Sequence, residues 1–150
     1  MSGTACVTNE EKRNIYAELK TRLKIALGKE FYYEAVMIEY AIIEDRTASI
    51  LSHGGVCKDP WDKKLQNKLN SIRHQCGKKH PILSKKVDVA LLDQIYSWKE
   101  RRNELVHRSC TLPYAVGQMK EIAEEGNELV RLLTNCARRV SNAASCAQGQ

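Results

Sequence analysis

At 150 residues, with 43% hydrophobic and 28% charged side chains, the chain has the composition of one globular domain, spanning 1–150, that buries its own core without metal or disulfide staples. Its 3 Pro and 8 Gly supply little material for β-turns, which argues against an all-β fold. No apolar stretch is long enough for a membrane span and Met1 to Asn14 holds no signal-peptide core, so a cytoplasmic protein is expected, with its 6 Cys (6, 57, 76, 110, 136 and 146) as free thiols.

The first predicted helix starts at Thr8 or Asn9, either of which can cap it, carries Ile15, Leu19, Leu23 and Leu27 at spacing four, and stops at Gly28. A second runs from about Glu30 to Ser52, apolar nearly all round and therefore expected to be the most buried. Asp59-Pro60-Trp61 opens a third, with Pro in its first turn and Leu65, Leu69 and Ile72 on one face, which stops near Gly77. After a basic loop containing Pro81, a fourth covers about Val87 to Ser109. Pro113 begins a fifth, bearing Val116, Met119, Ile122, Leu129, Leu132 and Leu133, and the small, polar tail 141–150 is expected to fray. Five amphipathic helices with short connections predict an all-α antiparallel bundle.

The net charge of +6 is unevenly spread. From Lys63 to Val87 there are Lys63, Lys64, Lys68, Arg73, Lys78, Lys79, Lys85 and Lys86 and no Asp or Glu, a stretch suited to a polyanion such as nucleic acid. A solvated lysine-rich surface would give the same pattern.

On a wheel of about 100° per residue with Trp98 as zero, Leu91, Ile95, Leu105, Val106, Leu92 and Tyr96 of the fourth helix fill one arc from about 340° to 160°. Arg102 falls inside this arc at about 40°, whereas Asn103 at about 140° and His107 at about 180° lie along its edge. A charge in a core position needs a partner, and Glu39 or Asp45 of the second helix could supply one, with Glu39 favoured. The plainer alternative is an arginine that snorkels out or closes a buried ion pair.

The segment Arg102-Asn103-Glu104-Leu105-Val106-His107 resembles the Arg-x-x-x-x-His signature of HEPN ribonucleases in its Arg-Asn-x-x-x-His form. Arg46 to His53 and Arg73 to His80 fit the looser pattern, so it is Asn after Arg that singles out this segment. The polar-studded stretch from Glu39 to Arg46 is similar to the second helix of such domains. The resemblance implies metal-independent RNA cleavage without a cofactor, in which a ribose 2′-hydroxyl attacks the adjacent phosphorus and leaves a cyclic phosphate. Arg102, Asn103 and His107 would be the catalytic residues, supported by Glu39 and Asp45. It also implies a homodimer that joins two motifs in one cleft and, in a toxin or defence role, a cognate antitoxin. The residue types suit the chemistry: His moves protons near neutrality, Arg neutralises charge on phosphate oxygens, and Asn positions either. A HEPN-like bundle that binds RNA, a nucleotide or a nucleotidyltransferase partner without cutting is the competing reading, and a plain helical interaction protein comes third. His53, Cys57, His74, Cys76 and His80 lack a zinc-ligand spacing, no phosphate-binding Gly-rich loop is present, and Cys110 near His107 has no third group to complete a nucleophile pair.

Overall fold

The computed structural model describes residues 7–149, so Cys6 and Gln150 lie outside the described residues. It is an all-helical bundle, with no strand among the described residues: α1 (Asn9–Gly28), α2 (Tyr32–His53), α3 (Leu65–Gly77), α4 (Leu83–Lys86), α5 (Val89–His107) and α6 (Ala115–Gln148). No helix among them is long and apolar enough to cross a membrane.

Thr8 caps α1 by a reciprocal pair: its Oγ1 accepts from the Glu11 backbone N–H, and the Glu11 carboxylate accepts from that of Thr8. Both α1 and α3 end in the same way, and not on their glycines. Gly28 and Gly77 are the last helical residues, and the left-handed position falls on Glu30 (φ 61°) and Lys79 (φ 57°). Lys79 N–H donates to Cys76 O and His80 N–H to Gln75 O, closing a Schellman turn on a lysine, where a side chain costs about 1 kcal/mol relative to glycine.

The centre of the bundle is the pair α2 and α6. Their contact is the most extensive in the fold, and α1, α3 and α5 pack around it. On α6, Met119, Ile122, Ala123, Gly126, Leu129, Val130, Leu133, Cys136, Ala137 and Val140 form a buried seam at helical spacing, in which the small residues let α2 approach closely. Trp98 of α5 is fully buried, and its indole N–H donates to Ile122 O at 2.8 Å, so the largest core side chain keeps its one polar atom satisfied.

Three expectations are corrected. The tail does not fray: α6 continues to Gln148, because Val140 and Ala144 extend the buried seam into it. A sixth element appears, the single turn α4, where a loop was expected. Most consequential is α3, which begins at Leu65 and not at Asp59-Pro60-Trp61. Lys63 N–H closes a turn on Pro60 O instead, while Trp61 reaches across to α2, donating its indole N–H to Asp45 Oδ1 at 3.2 Å beneath the ammonium of Lys12.

Candidate functional site

The late start of α3 determines what α5 leaves uncovered. Arg73 pairs with Asp93, and Asn70 shares a cleft with Tyr96, so α3 and α5 run antiparallel and α3 reaches back only to the level of residues 100 to 102. The first half of α5, with Leu91, Leu92, Ile95 and Trp98, is therefore buried, whereas Val106 and His107 beyond it are exposed and Arg102 and Asn103 are half-buried.

The other wall is α2. Tyr40 meets Arg102, and Tyr33 donates to Ser109 Oγ at 3.0 Å, an antiparallel register that puts Met37 level with Leu105 and Val106. Met37 is 65% exposed and Val106 37%, so both helices present apolar side chains to solvent at this level.

Arg102 does not enter the core as its wheel position suggested. Its guanidinium lies 4.5 Å from the Tyr40 ring centroid, Tyr40 in turn stacks on Trp98 at 6.4 Å, and Nη1 donates to Asn103 Oδ1 at 2.9 Å. Only Nε is buried without a partner. A cation braced this way keeps N–H groups free for an anion without needing a carboxylate. Burial first, and the nearby Glu44 next, raise the Tyr40 hydroxyl above its ordinary range, against the opposing pull of Arg102 and Lys99.

Asn103 and His107, four residues apart, share a face of α5, and His107 stands in its last turn. Arg102 and His107 differ by about 140° and 7.5 Å along the helix, so within one chain they do not converge tightly.

Neither expected carboxylate partners Arg102. Asp45 faces α1, held by Lys12 at 3.2 Å, by Arg46 and by Trp61. Its burial would raise its carboxyl, but the hydrogen bond and charge of Arg46, with Lys12, hold it below the usual value. Glu39 is fully buried, as its place in an apolar helix suggested, yet both carboxylate oxygens lack a hydrogen-bond partner, and burial pushes its pKa up to about 9. A Cβ at Gly126 of α6 would come within 2.5 Å of Glu39 Oε2, so the carboxyl occupies the space that this glycine leaves.

The basic stretch is also redistributed. Lys68 is 1% exposed and lies in the stripe Leu65, Lys68, Leu69, Ile72, so it is no surface contact. Burial lowers its pKa, opposed by Glu44, Asp45 and Asp62. Arg73 is neutralised by Asp93. Lys63, Lys64, Lys78, Lys79, Lys85 and Lys86 remain exposed. His80 Nδ1 accepts from the N–H groups of Ile82 and Leu83 and thereby caps α4, and among the described residues no three His, Cys, Asp or Glu side chains are grouped as metal ligands.

In comparisons with known proteins, no family model, no curated relative and no solved structure matches the chain.

Proposed function

We propose that this chain is a metal-independent endoribonuclease of HEPN type, with the exposed end of α5 as its site. The observation that carries the reading is the arrangement around Arg102. Its guanidinium is braced by Tyr40 and Asn103 with N–H groups to spare, and it stands half-buried on the same helix as an exposed His107. In the proposed reaction His107 accepts the proton of the attacking 2′-hydroxyl or delivers one to the departing 5′-oxygen. Arg102 neutralises the phosphate oxygens as charge gathers on them, and Asn103 holds Arg102 in place. The exposed lysines left in the basic stretch bring RNA to the protein.

Two roles for histidine and one histidine in each chain's candidate site call for a second copy, and so does the separation of Arg102 from His107. The exposed Met37 and Val106 near Arg102 suit a symmetric partner surface. Light scattering is expected to give about twice the 17.0 kDa of the chain. A monomeric mass at high concentration counts against a composite site.

The non-catalytic reading draws on one observation: Arg102 leans toward α2 and away from His107, as a residue that only binds an anion could. Incubating purified protein with a fluorescent RNA in the presence of chelator separates the two. Cleavage lost in His107→Ala supports the ribonuclease, while binding without any cleavage by the wild-type dimer favours the binding module.

A further inference from the structure

A strongly positive surface lies at the end of α5 opposite to the candidate site, and two stretches far apart in sequence build it. One is the acid-free segment 63–87. The other follows Glu128: from Leu129 to Gln150 there is no Asp or Glu, while Arg131, Arg138 and Arg139 are present. The fold joins them. Arg139 Nη2 donates to the Lys86 carbonyl at 3.4 Å, and Cys136 Sγ donates to the same oxygen at 3.6 Å, which fixes the second half of α6 against α4. Arg138 is held by Asn135 Oδ1 at 3.0 Å, so neither it nor Arg139 spends its charge on a carboxylate, whereas Arg131 is paired with Glu128. The nearby acid Asp88 caps α5, accepting from Ala90 N–H at 2.9 Å, and its single negative charge is outnumbered by these cations.

Lys78, Lys79, Lys85, Lys86, Arg138 and Arg139 are all exposed, and the bonds of Cys76 Sγ to Leu83 O and of Arg139 to Lys86 O gather the elements that carry them at this end of α5. Lys79 stands at the left-handed position that ends α3, where glycine would be less strained, so the chain keeps a cation there at a conformational cost. Thirteen residues of α5 separate Val89, at this end, from Arg102, a distance of about 20 Å.

We infer that this face is an anchoring site for the sugar–phosphate backbone of single-stranded RNA, which holds one part of a strand while another part reaches the exposed end of α5. The inference rests on the RNA reading above and adds where the strand is gripped. RNA is favoured over an anionic membrane because surface-bound proteins insert large apolar side chains beside their cations. The most exposed ones of this chain, such as Met37, Tyr114 and Val116, lie elsewhere, and Val89 at this end is only 36% exposed. A flexible single strand can span the distance between the two sites, and its bases need not be read for its phosphates to be held.

The test uses a 2′-O-methyl RNA, which lacks the attacking hydroxyl and cannot be cut, with binding read by fluorescence anisotropy across a salt series. Arg138→Glu/Arg139→Glu and Lys85→Glu/Lys86→Glu are each expected to weaken binding roughly tenfold or more. The log–log salt slope should flatten by about 1.4 for two lost single-strand phosphate contacts. The charge-matched control Lys20→Glu/Lys24→Glu on α1 should change affinity less than about twofold. Lys79→Gly separates charge from folding: its melting temperature should rise by a few degrees while its RNA affinity falls. Should a reversal variant fail to fold by circular dichroism, Lys79→Gly and Lys85→Gln/Lys86→Gln carry the test. Wild-type affinity in these variants, or an equal loss in the control, overturns the inference, as does binding to phosphatidylserine vesicles through these residues with none to RNA. The two proposals fail separately. A protein that cuts RNA but binds the uncuttable strand equally well in every variant keeps the ribonuclease reading and loses the anchor, and one that grips through this face but cuts nothing does the reverse.

Discussion

His107→Ala and Arg102→Met are expected to abolish RNA cleavage by about two to four orders of magnitude while leaving the fold intact. His107 is exposed in the last turn of α5, so truncating it removes no core packing. Its melting temperature should stay within about 2 °C of wild type. For Arg102 small terms oppose each other. Methionine deletes the buried, unpartnered Nε, but it loses the cation's attraction to the Tyr40 ring together with the hydrogen bond to Asn103. Each is worth on the order of 1 kcal/mol, so net stability should be at most modestly lowered. Thermal melts alongside a cleavage assay decide the matter. If Arg102→Met unfolds the protein, the residue is a structural brace, and its place in the site has to be abandoned.

Between about pH 5 and 9, stability is expected to fall steadily, and Glu39→Gln to remove most of that fall. The folded carboxyl titrates at about 9, above its ordinary value of 4.5, and burial is the cause. The folded state therefore holds a proton that the unfolded state has released. Glu39's contribution is complete below about pH 4.5, declines by roughly 1.4 kcal/mol per pH unit above it, and is lost as pH passes through 9. Denaturant titrations at several pH values measure the slope, and an equal slope in Glu39→Gln would contradict the assignment. Because neither oxygen has a partner, Glu39→Leu should stabilise the protein at pH 8, by about 1 to 3 kcal/mol. An ion pair with Arg102 would instead have made any loss of Glu39 strongly destabilising. Gly126→Ala puts a Cβ against the carboxyl, so it should destabilise wild type and be tolerated in Glu39→Ala, a coupling that a double-mutant cycle would reveal.

The all-helical bundle was legible in the sequence because apolar spacing reports the direction a side chain takes from its helix. Leu91, Leu92, Ile95, Trp98 and Leu105 are buried as the wheel required. The wheel does not report how far a neighbouring helix extends. That is why Arg102 and Val106 lie closer to solvent than their angles imply, since α3 is too short to cover the end of α5. The start of α3 was misread because Pro60 is a good local signal for a first helical turn, and the long-range bond from Trp61 to Asp45 overrides it. In the tail, Ala and Ser looked too small to hold a helix, but on α6 small side chains belong to the seam that packs beneath α2.

Within the candidate site, the place of half-buried Asn103 and exposed His107 at the edge of the core arc was readable, and so was the burial of Glu39. The partner of Glu39 was not, because a fully buried carboxyl suggests an ion pair, whereas here a proton replaces the counter-ion. Tyr40, the main support of Arg102, was missed for want of any local signal, since the pairing crosses from α2 to α5. Lys68 did leave one. It falls three residues after Leu65 and one before Leu69, on the apolar face of α3, and counting charge along a segment ignores which face each charge occupies.

The most direct test of the ribonuclease reading is the chemistry of the cut ends. Purified wild-type protein, incubated with an RNA oligonucleotide in excess chelator and analysed by mass spectrometry, should yield fragments ending in a 2′,3′-cyclic phosphate and beginning with a 5′-hydroxyl, and the His107→Ala protein should yield none. Intact RNA from a wild-type dimer, 5′-phosphate ends, or undiminished cutting by His107→Ala would contradict it.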